Sequence, residues 1–186
     1  MPRPDSIILR NARLMIPRLV ISTAILGAAL SLPLAAETNS AESAIKDLDR
    51  NIVGTAVLTE THDGVLLQAQ LSGLPSGERA IHFHETGKCE PPFDSAGDHL
   101  TAKDAESHGH LHEDGPHLGD LPNIDIPEGG QLDIEVMTLI SNLDEQVFDD
   151  DGAALVIHEG ADDYVTQPDG GAGSRIACGV IEKREE

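Results

Sequence analysis

Nine histidines occur in this 186-residue chain, eight of them between His62 and His117 and the ninth at His158. Imidazole carries protons and binds metals near neutral pH, so such clustering points to one of those chemistries. His82 and His84 lie two apart in an apolar run, and a strand there sends both from one face, about 6.5–7 Å apart at the backbone. They can converge on one metal. His158 at the end of another apolar run and His99 at the start of a long loop complete a set of four imidazoles. Such a set suits Cu(II) or Zn(II), and ligand softness alone does not choose between them. Next come His108, His117 and Asp120, whose imidazoles and carboxylate suit a closed tetrahedral zinc site once a fourth ligand is supplied.

Other chemistries find no support. With 33 acidic and 12 basic side chains the formal charge is −21, which argues against nucleic acid as a partner because phosphate contacts need a positive footprint. Gly171-Ala172-Gly173 is followed by Ile176 where a dinucleotide-binding turn needs its third glycine. Neither His84-Glu85 nor His158-Glu159 is completed to the zinc-protease HExxH pattern. Asp149-Asp150-Asp151-Gly152 has Val147 where an EF-hand loop needs an acid, so it is expected as a solvated turn. No nucleophile-elbow sequence supports a serine hydrolase.

The ligands need strands to hold them. Alternation over Ile52–Thr59 and Val65–Leu71, around the turn His62-Asp63-Gly64, predicts a hairpin with His62 in solvent. Further period-2 segments span Ala80–Glu85, Gln131–Ile140, Ala154–His158 and Ile176–Ile181. Residues 86–130 have no comparable run and are expected as a long functional loop. No segment has a helical period. The prediction is an all-β fold, a barrel or sandwich of antiparallel strands in one domain over residues 37–186.

Residues 1–36 are expected to be a secretory signal peptide: Arg3, Arg10, Arg13 and Arg18 precede an apolar run, Leu19–Leu34, that falls short of the ~20 residues of a membrane span. Cleavage falls near Ala36, with Leu34 an atypical residue at the third position before it. Without this leader the chain carries 32 acidic and 8 basic side chains, a charge of −24. Export to the periplasm or the extracellular space, with no stable membrane association afterwards, implies an oxidising compartment. Cys89 and Cys178 are then expected to pair, the alternative being two buried thiols.

With these residues assembled, the chain resembles the copper/zinc superoxide dismutases, particularly the exported bacterial branch. The matching segments are Ala80-Ile81-His82-Phe83-His84-Glu85, Gly97-Asp98-His99, His108-Gly109, Gly115-Pro116-His117-Leu118-Gly119-Asp120-Leu121-Pro122-Asn123, Val156-Ile157-His158-Glu159 and Gly171-Ala172-Gly173-Ser174-Arg175-Ile176-Ala177-Cys178-Gly179-Val180-Ile181. The resemblance implies a Greek-key β-barrel or sandwich of about eight antiparallel strands with long metal-binding loops. It also implies Cu(II)/Cu(I) on His82, His84, His99 and His158, and Zn(II) on His99, His108, His117 and Asp120, with His99 bridging the two metals. Residue types alone leave the choice among His108, His110 and His112 open; the family's His-Gly pair selects His108. Asp162 takes the place of the carboxylate that orients His82 and His108 together, and a disulfide Cys89–Cys178 ties the loop to the last strand. Arg175 takes the place of the arginine beside copper that attracts superoxide, and with the metal it must form a local positive funnel in an acidic protein. The implied catalytic residues are Arg175 and His99, the substrate is superoxide, and the protein is a monomer or a homodimer.

Four features depart from the family pattern. Asp98 replaces the usual glycine, where its carboxylate either repels superoxide or lies harmlessly outward, the second being expected. Leu100-Thr101-Ala102-Lys103 replaces an aromatic-Asn-Pro, and Ala80 stands where glycine is commonest. His110 and His112 are surface residues or an auxiliary metal-capture patch. The competing function is a non-catalytic exported metal-binding or metal-delivery protein on the same fold, whose mark would be loss of a copper histidine or of Arg175.

Overall fold

A computed structural model of the chain describes residues 39–102 and 107–185. The expected leader lies outside the described residues. Ten strands follow in chain order: β1 Ser40–Asp47, β2 Ile52–Thr61, β3 Gly64–Ser72, β4 Gly77–Arg79, β5 Ile81–His84, β6 Ile124–Ile126, β7 Gln131–Met137, β8 Ala154–His158, β9 Arg175–Val180 and β10 Glu182–Lys183. Besides a 3-10 turn at Asp94–Ala96 there is one α-helical turn, α1 (Leu143–Gln146), capped by Asn142, which accepts from the Glu145 amide at 2.8 Å. It is too short to leave a helical period in the sequence.

The main sheet is ordered β5-β8-β9-β1-β2-β3-β7 with β10 beside β1, and its pairs are antiparallel. After β1, β2 and β3 the chain crosses to the far edge for β5, returns to place β7 beside β3, and crosses again to place β8 beside β5. Such long returns make a Greek key, as expected. Four strands were not foreseen: β1, β4, β6 and the two-residue β10. β1 was missed because its inward positions are Ala41, Ser43 and Ile45, of which only one is strongly apolar. β6 lies inside the stretch expected as loop and pairs with the short β4, each being only three residues long.

Burial on the two faces of the sheet decides where the site lies. Leu155 and Ile157 of β8 join Ile45, Leu58, Leu67 and Phe83 in the main core, while Ala154 and Val156 join Phe93, Ala96 and Cys178 in a second cluster on the opposite face. Consequently β8 is buried along its whole length, as a strand covered on both faces must be. In the β5–β8 register His82 stands opposite Val156 and His84 opposite Ala154, which puts both histidines on the second face, away from the main core. The loop after β5 covers that face, held there by the Cys89–Cys178 disulfide with a Cα–Cα distance of 5.7 Å.

Candidate metal centre

Each ligand is positioned by backbone pairing wherever a strand is within reach. The outer edge of β5 would be left with unpaired amide groups, and two loop segments satisfy it. Phe83 N–H donates to the Gly119 carbonyl at 2.9 Å, and Leu100 N–H donates to the Phe83 carbonyl at 2.9 Å. These bridges set His99 opposite His84 and Asp120 opposite His82. The approach requires Gly119, because an added Cβ would overlap the Phe83 carbonyl. His158 ends β8, and its N–H donates to the Ala80 carbonyl at 2.9 Å.

The side chains then fall into two groups that share one residue. In each, one ligand atom per residue lies within 4.8 Å of all the others: His82, His84, His99 and His158 in the first, and His99, His108, His117 and Asp120 in the second. In the first group His82 Nδ1 and the Nε2 atoms of His84, His99 and His158 are buried with no hydrogen-bond partner. Buried nitrogens are rarely left unpaired. Their opposite ring nitrogens are all engaged: His84 Nδ1 with the Gly97 carbonyl at 3.0 Å, His158 Nδ1 with the Gly173 carbonyl at 3.2 Å, His82 Nε2 with Asp162 Oδ2 at 3.0 Å, and His99 Nδ1 with Asp120 Oδ1 at 2.9 Å. The carbonyls take the N–H of His84 and His158 and so fix tautomers whose free lone pairs point at one another, the arrangement that a cation resolves.

Oxygen and nitrogen ligands mix in the second group. Asp120 Oδ2 accepts from the amides of Gly109 at 2.8 Å and His117 at 2.9 Å. This leaves Oδ1 facing the Nδ1 atoms of His99 at 2.9 Å, His108 at 2.9 Å and His117 at 3.6 Å. Three imidazole nitrogens and one carboxylate oxygen fit a closed zinc site. Only His99 offers a nitrogen to each group. His110 and His112 lie outside both, and His62 is exposed as expected.

Asp162 sits between the groups, with Oδ2 3.0 Å from His82 Nε2 and Oδ1 3.0 Å from His108 Nε2. These three residues also form a metal-sized cluster, but the two ion-pair contacts already account for both oxygens. Burial lowers the histidine pKa values to about 4 for His82, about 3 for His158 and about 2 for His84. All three stay neutral and ligand-ready over the physiological range. Burial acts against ionisation of Asp120 and Asp162 too, yet hydrogen bonds from His108 and a second histidine outweigh it and hold both well below the usual carboxylate range. For His108 the bonds to the same two carboxylates overcome burial and raise its pKa to about 9.

Above the first group is a pocket of about 320 Å³ lined by His84, His99, His158 and Arg175. Arg175 Nη1 donates to the Phe93 carbonyl and Nη2 to the Gly97 carbonyl, each at 2.7 Å. Both acceptors are neutral, and among the described residues no carboxylate lies within 4.0 Å of the guanidinium. Its charge is left free for an anion. Phe93 adopts the left-handed conformation, φ 78°, uncommon for a bulky residue and held here by burial of its ring in the second core. Asp98 is exposed, and with Glu85 and Asp169 it is among the residues that line the pocket. Its exposure fits the expected outward placement, and its place in the pocket lining fits the alternative that it repels superoxide.

Two participants were not singled out from the sequence. The Asn123 side chain pairs with the backbone of Asp162, accepting its N–H at 2.9 Å and donating to its carbonyl at 2.8 Å. Gln167 pairs in the same way with His108. Both partners are distant in sequence, so no local pattern announces them.

Comparison with known proteins agrees with this geometry. The family model described as copper/zinc superoxide dismutase (SODC) matches residues 52–181. Cu-Zn superoxide dismutase 2 of Aquifex aeolicus (strain VF5) is 42% identical over 147 residues, covering 76% of this chain and 85% of the relative. Among solved structures, a SOD-like protein from Bacillus subtilis superposes with a TM-score of 0.71 at 32% identity, covering 75% of this chain and 96% of that one. The Cu/Zn superoxide dismutase from Brucella abortus gives a TM-score of 0.65 at 28% identity, covering 77% and 99%.

Proposed function

The chain belongs to the copper/zinc superoxide dismutase family, and from that premise we propose how its own residues carry the dismutation of superoxide to dioxygen and hydrogen peroxide. The observation that carries the reading is the set of four buried, unpartnered imidazole nitrogens facing one point beneath Arg175. His82, His84, His99 and His158 would hold copper, and His99, His108, His117 and Asp120 would hold zinc. Copper bound there would supply reversible one-electron chemistry between Cu(II) and Cu(I), and zinc would serve a structural and electronic role.

Arg175 draws superoxide into the pocket and holds it beside the His84 and His99 rings, its guanidinium aimed by the Phe93 and Gly97 carbonyls. When not given to copper, His99 Nε2 is the buried position where a proton would be kept between two superoxide encounters, while Nδ1 stays engaged beside Asp120 Oδ1. Two superoxide anions and two protons yield one dioxygen and one hydrogen peroxide: the first superoxide is oxidised to dioxygen, and the second is reduced to peroxide, taking one proton from His99 and the other from solvent water. Asp162 keeps the His82 and His108 rings in place.

Residues 1–36 act as the export signal and residues 37–186 as the working domain, in the periplasm or outside the cell. The Cys89–Cys178 disulfide supports an oxidising compartment. A purely metal-delivering role is disfavoured by retention of every copper histidine and of Arg175.

The test is superoxide dismutation by the mature chain loaded with copper and zinc, beside Arg175→Ala and His99→Ala at matched copper content. Fast turnover that falls about 10-fold or more in Arg175→Ala, and further in His99→Ala, is expected. Stoichiometric metal binding with negligible turnover would move the reading to metal handling.

A further inference from the structure

The zinc-side ligands differ in what positions them. His99 and Asp120 are set by bridges to β5, and His117 is tied to Asp120 through a turn, Asp120 N–H donating to the His117 carbonyl at 3.2 Å. His108 is fully buried yet lies in no strand and has no such bridge. Its place is taken by Gln167: the Gln167 Oε1 accepts the His108 N–H at 2.8 Å, and its Nε2 donates to the His108 carbonyl at 2.9 Å. One acceptor and one donor are what a neighbouring strand would present. The same segment reaches the His108 ring as well, through Asp162 Oδ1 at 3.0 Å. Gly170 closes over that contact so tightly that an added Cβ would overlap Asp162 Oδ1. Gln167 itself is exposed, so no packing demand explains why a carboxamide stands there.

We propose that Gln167 is a positioning residue for zinc: its carboxamide acts as a one-residue strand that fixes the His108 backbone, so that Nδ1 meets the zinc position while Asp162 holds Nε2. The inference rests on the zinc-site reading given under Proposed function. Backbone and ring are then held from one segment, and loss of the carboxamide frees the backbone to rotate the ring about its remaining Asp162 contact. Ligand orientation of this kind typically changes metal affinity by ~10–100-fold.

The experiment uses the mature copper-loaded chain and compares wild type with Gln167→Met, which removes both bonds to His108 and the Nε2 bond to the Val165 carbonyl at similar size, Gln167→Glu, which keeps only the acceptor, and Thr166→Val. Thr166 bonds the Asp163 carboxylate in the same loop without touching His108, so its variant loosens the loop alone. Zinc affinity is measured by chelator competition, and the geometry by the visible bands of Co(II) placed in the zinc site. The expected result is zinc binding weakened about 10–100-fold in Gln167→Met with altered cobalt bands, an intermediate Gln167→Glu, and a Thr166→Val close to wild type, with copper affinity unchanged throughout. Wild-type zinc affinity and cobalt bands in Gln167→Met would overturn the proposal, and so would an equal loss in Thr166→Val. Should Gln167→Met fail to fold, Gln167→Glu decides by the same two readouts. Failure of the wild-type chain to take up zinc or cobalt would instead overturn the zinc-site reading itself.

Discussion

At the scale of single residues, each ligand histidine is made useful by what holds its other nitrogen. The Gly97 and Gly173 carbonyls and Asp162 engage the far nitrogens of His84, His158 and His82, and this is how a ring is kept in one tautomer. Asp162 contacts one histidine of each group, so under the proposed metal assignment Asp162→Ala should weaken copper and zinc binding together, each by ~10–100-fold in chelator competition. Proton competition can be predicted from the same environments. Burial lowers His82 to about 4, His158 to about 3 and His84 to about 2, so protons begin to displace copper only as the pH falls towards 4. Free imidazoles would compete from about 6.5 downward. A copper absorption titration should accordingly be flat from pH 7 to about 5 and fall below it; loss of half the copper near pH 6.5 would contradict the assigned burial. The chemistry of His82, His84 and His158 was legible because residue type and strand parity suffice for it. The partner carbonyls were not, since any residue carries one.

Elements come next, and here the loops depend on the sheet. The disulfide fastens the loop after β5 to β9, and that same loop provides both carbonyls that aim Arg175. Cys89→Ser with Cys178→Ser should therefore cost stability and activity together. Over an 89-residue separation the chain-entropy model gives on the order of 4–5 kcal/mol. Urea unfolding of oxidised chain against the double variant measures the first effect, and kcat/KM at matched copper content the second. Normal kcat/KM in the variant would show that Arg175 is aimed without help from the disulfide. The hairpin β2–β3 and strands β5, β8 and β9 could be read from alternation to within a residue or two at most ends. β1 could not, because Ala41 and Ser43 are buried by their small size and not by strong hydrophobicity. Nor could β6, whose three residues are too few to establish a period.

For the whole molecule, a formal charge of −21, or −24 over residues 37–186, meets an anionic substrate, and Glu85, Asp98 and Asp169 add carboxylates to the pocket lining. Against them stands Arg175, close to the reaction site. Salt screens charges beyond a Debye length, about 10 Å at 0.1 M, and spares contacts shorter than that. Raising ionic strength should thus remove the distributed repulsion and leave the pull of Arg175, so kcat/KM is expected to rise with salt in steady-state dismutation assays. Asp98→Asn should raise it at low salt and flatten the dependence; a rate that falls with salt would mean the local attraction already dominates. The residues of the chain by themselves determined the ligand chemistry, the all-β class and the acidic surface, since these follow from side-chain type, period and count. Tertiary structure alone decided that Asp98 borders the pocket, that Arg175 is aimed by carbonyls on a disulfide-pinned loop, and that Asn123 and Gln167 stand in for missing strands. Each of these joins groups far apart in the chain, and such a contact exists only once folding has brought their backbones within hydrogen-bond reach.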